Sequence, residues 1–450
     1  MSLIDRWKNI GLANKLKNEK SKEEVREPLL SGTISKELSD AMIIPKDDSV
    51  LDNLETLVKK LALQPFISVI STTLQEDNSY KILLEYKGET FEFFTAVEDF
   101  QLPELFRIGH DFTENEIAVM ESAKRGLISQ MVFGKNNCES YQLQIKLLCA
   151  MVEEPAGIVD FSGEKMLSGR WAKLAAQSEV PPGPDYLYTV QAVSDKEGKV
   201  WLHTHGLHRC GGINLEIIDS DKDNYGGQAV ILYTLAERII SKGEFIKEYE
   251  PIYVVQLTPD VPIVATWVSW HRAVNFYADD IMGGRKDRLE GHNKNTGVVY
   301  IYQSQEDCDS RKISHVCAYN DLYDANVMQM ITTEETERMK RLALERIGYM
   351  VSLFENRENF EQLVVLAKVG LEVDDEFKDG DMKEHIWFEV KDINAENKTF
   401  EGELTQEPYY VSALKTGDMR TCAFEEITDW AVYADGEKIT PDSVYKLTEG

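Results

Sequence analysis

The residues best suited to chemistry lie in one short run, positions 201–210, which read Trp-Leu-His-Thr-His-Gly-Leu-His-Arg-Cys. On a β-strand, residues two apart share a face, so His203 and His205 should point together. Gly206 permits a turn that would bring His208 and Cys210 back toward them. Three imidazoles and a thiol are ligands that zinc accepts. The run is therefore a candidate zinc site made by His203, His205, His208 and Cys210.

Two other interpretations of this run remain open. Most zinc sites draw ligands from separated segments, and no carboxylate lies next to the run to orient an imidazole. The run is also compatible with a site for a polar ligand, in which Arg209 supplies a positive charge to an anionic group. The same interpretation includes a catalytic site, in which the imidazoles activate Cys210 as the thiolate nucleophile of a hydrolase. The third interpretation is ordinary hydrogen bonding at the end of a strand.

A second candidate site is the basic loop that reads Gly-Gly-Arg-Lys-Asp-Arg at 283–288 and Gly-His-Asn at 291–293. Arg285, Arg288 and His292 are candidate ligands for a phosphate or carboxylate, because a guanidinium binds such groups with two hydrogen bonds. The loop lacks the GxxxxGK[ST] pattern of a nucleotide-binding loop. The alternative is a solvated turn.

Periodicity predicts an α+β fold with several domains to position these residues. Residues 1–40, in which Lys and Glu alternate from Lys15 to Glu27, are expected to form a mobile tail. Two mixed α+β domains should follow, at 41–152 and at 153–330, with the histidines in the second. Connecting helices are expected over 331–370, the last of them at about 359–367. Dense strand and turn signals over 371–450 predict a small β-rich, barrel-like domain that folds by itself.

The charge of the chain limits its partners. It has 78 acidic and 49 basic residues among 450, a net charge of −29. This argues against nucleic acid and against anionic membranes as partners, and it favours a basic protein. Residues 371–450 alone hold 21 acidic and 8 basic residues. The sequence does not predict the oligomeric state.

The remaining composition indicates a cytoplasmic protein. There is no apolar run long enough to cross a membrane. Six scattered cysteines without a CxxC pair indicate free thiols in a reducing compartment. No cofactor is expected, apart from zinc under the metal-site interpretation.

Several uncommon runs resemble known bacterial families. Val-Asp-Phe-Ser at 159–162, Ser-Gly-Arg-Trp at 168–171, Tyr-Leu-Tyr-Thr-Val-Gln-Ala-Val at 186–193 and the histidine run through Gly211 resemble the family called domain of unknown function 4026, over about 40–350. The runs at 384–390, 400–404 and 428–430 are similar to domain of unknown function 2314, over about 371–450. Thr-His-Gly-Leu followed by Asn-Leu-Glu-Ile-Ile is similar to a strand-turn-strand pattern of bacterial immunity-like families. These resemblances imply an architecture, not an activity.

Two functional hypotheses follow from the sequence. The favoured one is a non-enzymatic binding or interaction protein, with an immunity-like role and a basic partner. The alternative is a hydrolase, metal-dependent if zinc binds, centred on His203, His205, His208 and Cys210. The first depends on the charge and on the missing catalytic signature, and the second on the histidine run alone.

Overall fold

The computed structural model describes residues 36–103, 106, 110–242, 246–258, 261–288, 295–323, 333–378 and 383–448. The predicted tail up to residue 35 and His292 lie outside the described residues. Two compact units are present: one holds the described residues up to 176 and from 182 to 323, and the other holds 177–181 and those from 333 onward. Three sheets with accompanying helices confirm the α+β class. No described helix is both long enough and apolar enough to span a bilayer.

The first sheet has seven antiparallel strands in the order β2-β3-β4-β5-β1-β6-β7. The strands are β1 Leu38–Pro45, β2 Ser68–Leu74, β3 Tyr80–Tyr86, β4 Glu89–Asp99, β5 Arg125–Val132, β6 Pro155–Asp160 and β7 Lys165–Ser168. Its helices are α1 Leu54–Leu61, α2 Glu114–Ser122, α3 Asn137–Met151 and α4 Gly169–Gln177. β1 lies between β5 and β6 because its apolar run, which includes Met42 and Ile44, is buried on both faces. The sheet thus begins at Leu38 and includes two strands beyond residue 152.

The second sheet has six strands in the order β11-β12-β13-β10-β9-β8. The strands are β8 Thr189–Ser194, β9 Lys199–His205, β10 Asn214–Asp221, β11 Ile252–Thr258, β12 Val261–Ser269 and β13 Thr296–Tyr302. The helices of this part are α5 Tyr225–Lys242, α6 Trp270–Ala273, α7 Gln305–Ser310 and α8 Asn320–Tyr323. β10 and β13 run parallel, and the other neighbours are antiparallel. The histidine run therefore starts on an inner strand of this sheet.

The second unit contains a six-stranded sheet in the order β17-β16-β15-β14-β18-β19. The helices are α9 Thr333–Glu345 and α10 Ile347–Glu355; the strands are β14 Leu363–Glu372, β15 Lys383–Asn394, β16 Thr399–Leu404, β17 Met419–Ala423, β18 Ile427–Ala434 and β19 Glu437–Ile439. The C-terminal unit is β-rich as predicted, but its sheet is open instead of closed into a barrel. Among the described residues, its end strands β17 and β19 do not pair with each other.

The prediction of a helix at 359–367 was wrong, because β14 occupies most of that segment. Its burial alternates: Val365, Ala367, Val369 and Leu371 are buried, and the residues between them are more exposed. A period of two is the signature of a strand with one covered face. β14 is a central strand of the sheet, paired with both β15 and β18.

Candidate functional site

β9 carries three aromatic side chains in a line, Trp201, His203 and His205, which we call the histidine row. The ring centroids of Trp201 and His203 are 4.2 Å apart, and those of His203 and His205 are 4.8 Å apart. The prediction that the two histidines share a face of one strand is confirmed. Because β8 and β10 flank β9, His203 is buried, while His205 at the strand end is partly exposed.

A carboxylate from the first sheet orients the outer imidazole of the row. Glu164, in the turn between β6 and β7, places Oε1 2.9 Å from Nδ1 of His205. Its Oε2 accepts a hydrogen bond of 2.9 Å from Nε2 of Gln191, which lies beside His203 on β8. The backbone of Glu164 has φ 50°, a left-handed conformation that non-glycine residues adopt infrequently. Nε2 of His205 is buried and has no hydrogen-bond partner among the residues described.

Gly206 ends the row and turns the chain away from it. Its φ is 105°, and a Cβ at this position would lie 2.3 Å from the carbonyl oxygen of Leu187. Only glycine fits both the angle and the close approach. The chain continues into a 3₁₀ turn, Leu207–Cys210, which is tied down by a 3.0 Å bond from the Leu207 amide to Oδ1 of Asn214. His208, Arg209 and Cys210 thus lie on this turn and not on the strand.

Arg209 is fully buried and is held in a bidentate ion pair with Asp160. Its Nη1 and Nη2 lie 2.8 and 2.7 Å from the two carboxylate oxygens, and both residues have fully buried side chains. Further bonds run to Oγ of Ser39 (3.1 Å) and to the carbonyl oxygen of Leu187 (2.7 Å). The guanidinium also lies over the Tyr141 ring, 4.8 Å from its centroid. Arg209 therefore joins the two sheets of the first unit and does not present its charge to a ligand beside the histidines.

The two remaining members of the run are unsuited to metal or nucleophile chemistry. Burial raises the pKa of the Cys210 thiol to about 12, so a thiolate is disfavoured. Burial, together with the charge of Arg209, lowers the pKa of His208 to about 4, so its imidazole is neutral at pH 7. Within the described part of the chain, no three His, Cys, Asp or Glu side chains are arranged to hold a metal ion. The four-ligand zinc hypothesis receives no geometric support.

The basic loop is divided between the interior and the surface. Arg288 is buried between the rings of Trp201 and Trp270, 4.8 and 4.9 Å from their centroids, and forms an ion pair with the buried carboxylate of Glu216. Arg285 is exposed and bonds to Asn275 (2.7 Å) and Asp279 (3.2 Å). The two arginines are therefore not directed to one anion, and His292, the third predicted ligand, is outside the described residues.

Three polar residues of this region were missed in the sequence. Glu216 lies opposite His203 on β10 and accepts a 2.8 Å hydrogen bond from Nε1 of Trp201. It was detectable as an acid between two apolar residues, Leu215 and Ile217, since a buried charge needs a partner. Glu164 and Gln191 gave no comparable signal, because only the packing of one sheet against the other brings Glu164 to the row.

The geometry supports one limited chemical capacity. An imidazole whose Nδ1 is bonded to a carboxylate is oriented as in a general base. A hydrolase also needs a nucleophile or an activated water next to such a base. The thiol predicted for that role is buried on the turn after Gly206. The hydroxyl of Thr189, which lies opposite His205 on β8, makes no hydrogen bond to it among the described residues. The row alone thus amounts to an oriented imidazole, not a catalytic set.

The fold and this region define a two-unit α+β protein whose most distinctive motifs are used largely for internal pairing. Asp160 belongs to the run 159–162 and Arg209 to the run 201–211, so two separated motifs meet in one ion pair. Comparison with family models agrees with this architecture. The chain belongs to the family described as protein of unknown function DUF4026, whose N-terminal model matches residues 39–182 and whose C-terminal model matches 190–300. Residues 349–445 match the model of an uncharacterised protein conserved in bacteria, DUF2314. Neither the curated proteins nor the solved structures gave a match.

Proposed function

We propose that this protein is a non-enzymatic binding protein that engages a basic partner through its C-terminal unit, as the immunity-like hypothesis requires. The observation that carries the proposal is the uncovered face of the C-terminal sheet. There, large apolar side chains remain exposed next to carboxylates that oppose one another. We call this surface the open face and define it by Val364, Trp387, Glu389, Glu403 and Tyr433.

The described residues of this unit cover only one face of the sheet. α9 and α10 pack on the side that holds Phe388 and Trp430, whose side chains are fully buried. On the other side, Val364 and Tyr433 lie opposite each other and are each 40% exposed. Trp387 is half-buried on the same side. Exposed aromatic and aliphatic groups with a polar rim are typical of protein interfaces.

The rim of the open face places like charges directly opposite each other. Glu389 pairs in register with Glu403, and Asp392 pairs with Glu401. Like charges directly opposite each other destabilise a sheet. Their presence therefore favours a role for these carboxylates other than stabilising the sheet. Lys391 bridges Glu389 (2.7 Å) and Glu403 (3.1 Å), which offsets part of the repulsion. A cationic side chain from a partner would offset the rest.

Electrostatics and aromatic chemistry favour the same class of partner. The segment 371–450 carries 21 acidic and 8 basic residues, so the surrounding potential attracts cations. Trp387 already accepts a cation on its ring, since Nζ of Lys368 lies 5.5 Å from the ring centroid. An arginine of the partner would use the same ring and the nearby carboxylates.

The test uses the full chain and a fluorescent nona-arginine peptide as the probe. We expect Glu389→Gln/Glu403→Gln to weaken binding about tenfold or more, because the two carboxylates lie at one contact. Trp387→Ala should weaken it similarly, although this change removes no charge. Affinities are measured by fluorescence anisotropy at several salt concentrations, and each variant is checked by circular dichroism.

The matched control is Glu55→Gln/Glu92→Gln. It also removes two exposed acids that contact lysines, 2.6 Å from Lys59 and Lys81, but on the first unit. Under the proposal this control weakens binding less than about twofold. Equal weakening in both double variants would show that the peptide senses net charge alone, and the open face would lose its assigned role.

The hydrolase remains a second candidate because of the 2.9 Å contact between His205 and Glu164. We propose His205 as its general base and Glu164 as the group that orients it. Chromogenic carboxylic and phosphate esters, tested with and without added zinc, provide the assay. Turnover that His205→Gln and Glu164→Gln both abolish would support this candidate, and turnover unaffected by both changes would remove it.

A further inference from the structure

The first sheet ends in an unprotected strand edge. β2, Ser68–Leu74, is the outermost strand and pairs on one side only, with β3. Six of its seven residues are exposed, and Val69 is half-buried. In the part of the chain that the structure describes, nothing pairs with its outer side. The strand therefore presents a row of backbone amides and carbonyls to another strand.

Apart from a chain irregularity between Val69 and Ser71, β2 lacks the features that normally prevent such pairing. Its sequence, Ser-Val-Ile-Ser-Thr-Thr-Leu, contains no charged residue, proline or glycine. Ile70 and Leu74 are 52% and 57% exposed. By contrast, the edge strand β19 has only three residues, and Glu437 and Lys438 are two of them. The edge strands β8 and β11 are also uncharged, but three residues of β8 are exposed and Val254 and Val255 of β11 are buried, whereas six residues of β2 are exposed. Proteins usually shorten or charge an exposed edge, so this strand is the one best suited to pairing.

We infer that β2 pairs antiparallel with β2 of a second copy of this chain, forming a two-fold dimer with one continuous sheet. The distribution of charge on the molecule is the reason for choosing a second copy of this chain as the source of the partner strand. Two chains of −29 each repel one another, so a stable contact between copies must be made where charge is absent. β2 meets this condition. It offers no carboxylate to a basic partner, so the inference is independent of the proposed function.

The sequence of β2 also complements itself around one residue. With the two-fold axis at Thr72, Ile70 of each copy lies opposite Leu74 of the other. Both residues are exposed, and cross-strand aliphatic pairs stabilise antiparallel ladders. Ile70 lies at the chain irregularity between Val69 and Ser71, so the regular ladder would run from Ser71 to Thr73 and the contacts of Ile70 with Leu74 would lie at its two ends. A two-fold axis requires this self-complementary arrangement of a single surface.

The primary test is the mass of the full chain in solution, measured by light scattering and sedimentation from about 1 to about 100 µM, since dimerisation follows mass action. We expect a dimer of the 51.3 kDa chain. Ile70→Lys should give a monomer, because it places two added charges near the axis. The control Val193→Lys adds the same charge at a 41% exposed residue of the edge strand β8 and should remain dimeric.

A charge-pair rescue tests the register. Leu74→Glu alone should also be monomeric, and mixing it with Ile70→Lys should restore a heterodimer, since the two changes face each other across the axis. Amide hydrogen exchange of residues 68–74 in the wild type should slow as protein concentration rises. A wild type that stays monomeric, or a dimer that survives Ile70→Lys, would overturn the inference. Protection of β2 at every concentration in a monomer would also overturn it, because the edge would then be occupied by the chain itself.

Discussion

Replacing Asp160 by Asn would leave a guanidinium without its counter-charge in the interior of the first unit. Asp160 and Arg209 are both fully buried, and Asp160 also accepts bonds from Tyr141 (3.0 Å) and from the Gly163 amide (2.9 Å). Asn keeps the volume but removes the charge. Breaking a buried ion pair in this way costs about 3–5 kcal/mol. We therefore expect Asp160→Asn to lower the free energy of unfolding of this unit by that amount.

The assay is urea denaturation, followed by tryptophan fluorescence and circular dichroism. Combining Asp160→Asn with Arg209→Met should recover a large part of the loss, because the second change removes the isolated charge. As a control, Glu92→Gln disrupts the surface pair of Lys81 and Glu92, whose side chains are 36% and 54% exposed, and should cost less than about 1 kcal/mol. If Asp160→Asn costs no more than Glu92→Gln, the buried pair does not hold the two sheets together and the reasoning fails.

Three further predictions concern a buried histidine, two glycines and the C-terminal fragment. Burial lowers the pKa of His208 to about 4. As pH falls from 6.5 toward 4, this imidazole becomes protonated in the unfolded chain but not in the folded chain, which lowers the stability of the fold. Over this pH range the free energy of unfolding of the wild type should fall by about 3 kcal/mol more than that of His208→Gln. Denaturation at a series of pH values measures both, and an equal fall in the two proteins would contradict the prediction. Gly206→Ala should lower the free energy of unfolding by about 2 kcal/mol or more. Gly226 lies in α5 with open space for a Cβ, so Gly226→Ala should raise it by about 0.5–1 kcal/mol. Thermal melts should show a lower melting temperature for the first variant and a higher one for the second. The sequence predicted that residues 371–450 fold by themselves, but this fragment lacks most of β14, which lies between β15 and β18. We therefore expect it to give a poorly dispersed amide spectrum, and a dispersed spectrum would refute this.

Local patterns in the sequence predicted the elements that depend on local physics. Thr113 and Glu116 have the spacing of a capping box and form one at the start of α2, and alternation along β9 placed the two histidines on one face. β14 was mistaken for a helix because a run of small and aliphatic residues is compatible with both periods. It lies between β15 and β18, which both follow it in sequence, so its strand conformation depends on pairing with distant parts of the chain. Local propensity does not decide such cases.

The candidate site was predicted only in part, for a related reason. Proximity in sequence suggested that His208, Arg209 and Cys210 would rejoin the histidines after Gly206. Instead, Arg209 is drawn into the interface with the first sheet, where the carboxylate of Asp160 offsets its burial, while His208 stays close enough to His205 for their charges to interact. A buried arginine needs a buried carboxylate, and the sequence does not show which of 78 acids will provide it. The carboxylate that does orient His205 comes from Glu164, 41 positions earlier in the chain.

This distribution of charge explains why the family motifs do not by themselves reveal an activity. Arg209 and Arg288 are conspicuous in the sequence, yet their charges are neutralised internally by Asp160 and Glu216. A cation that is paired and buried contributes little to the field outside the molecule. The acids on the open face are different, because Glu389 and Glu403 share a single lysine and remain about 40% exposed. The negative charge of Glu389 and Glu403 therefore remains at the surface of the second unit, while the motif residues stabilise the interior of the first unit.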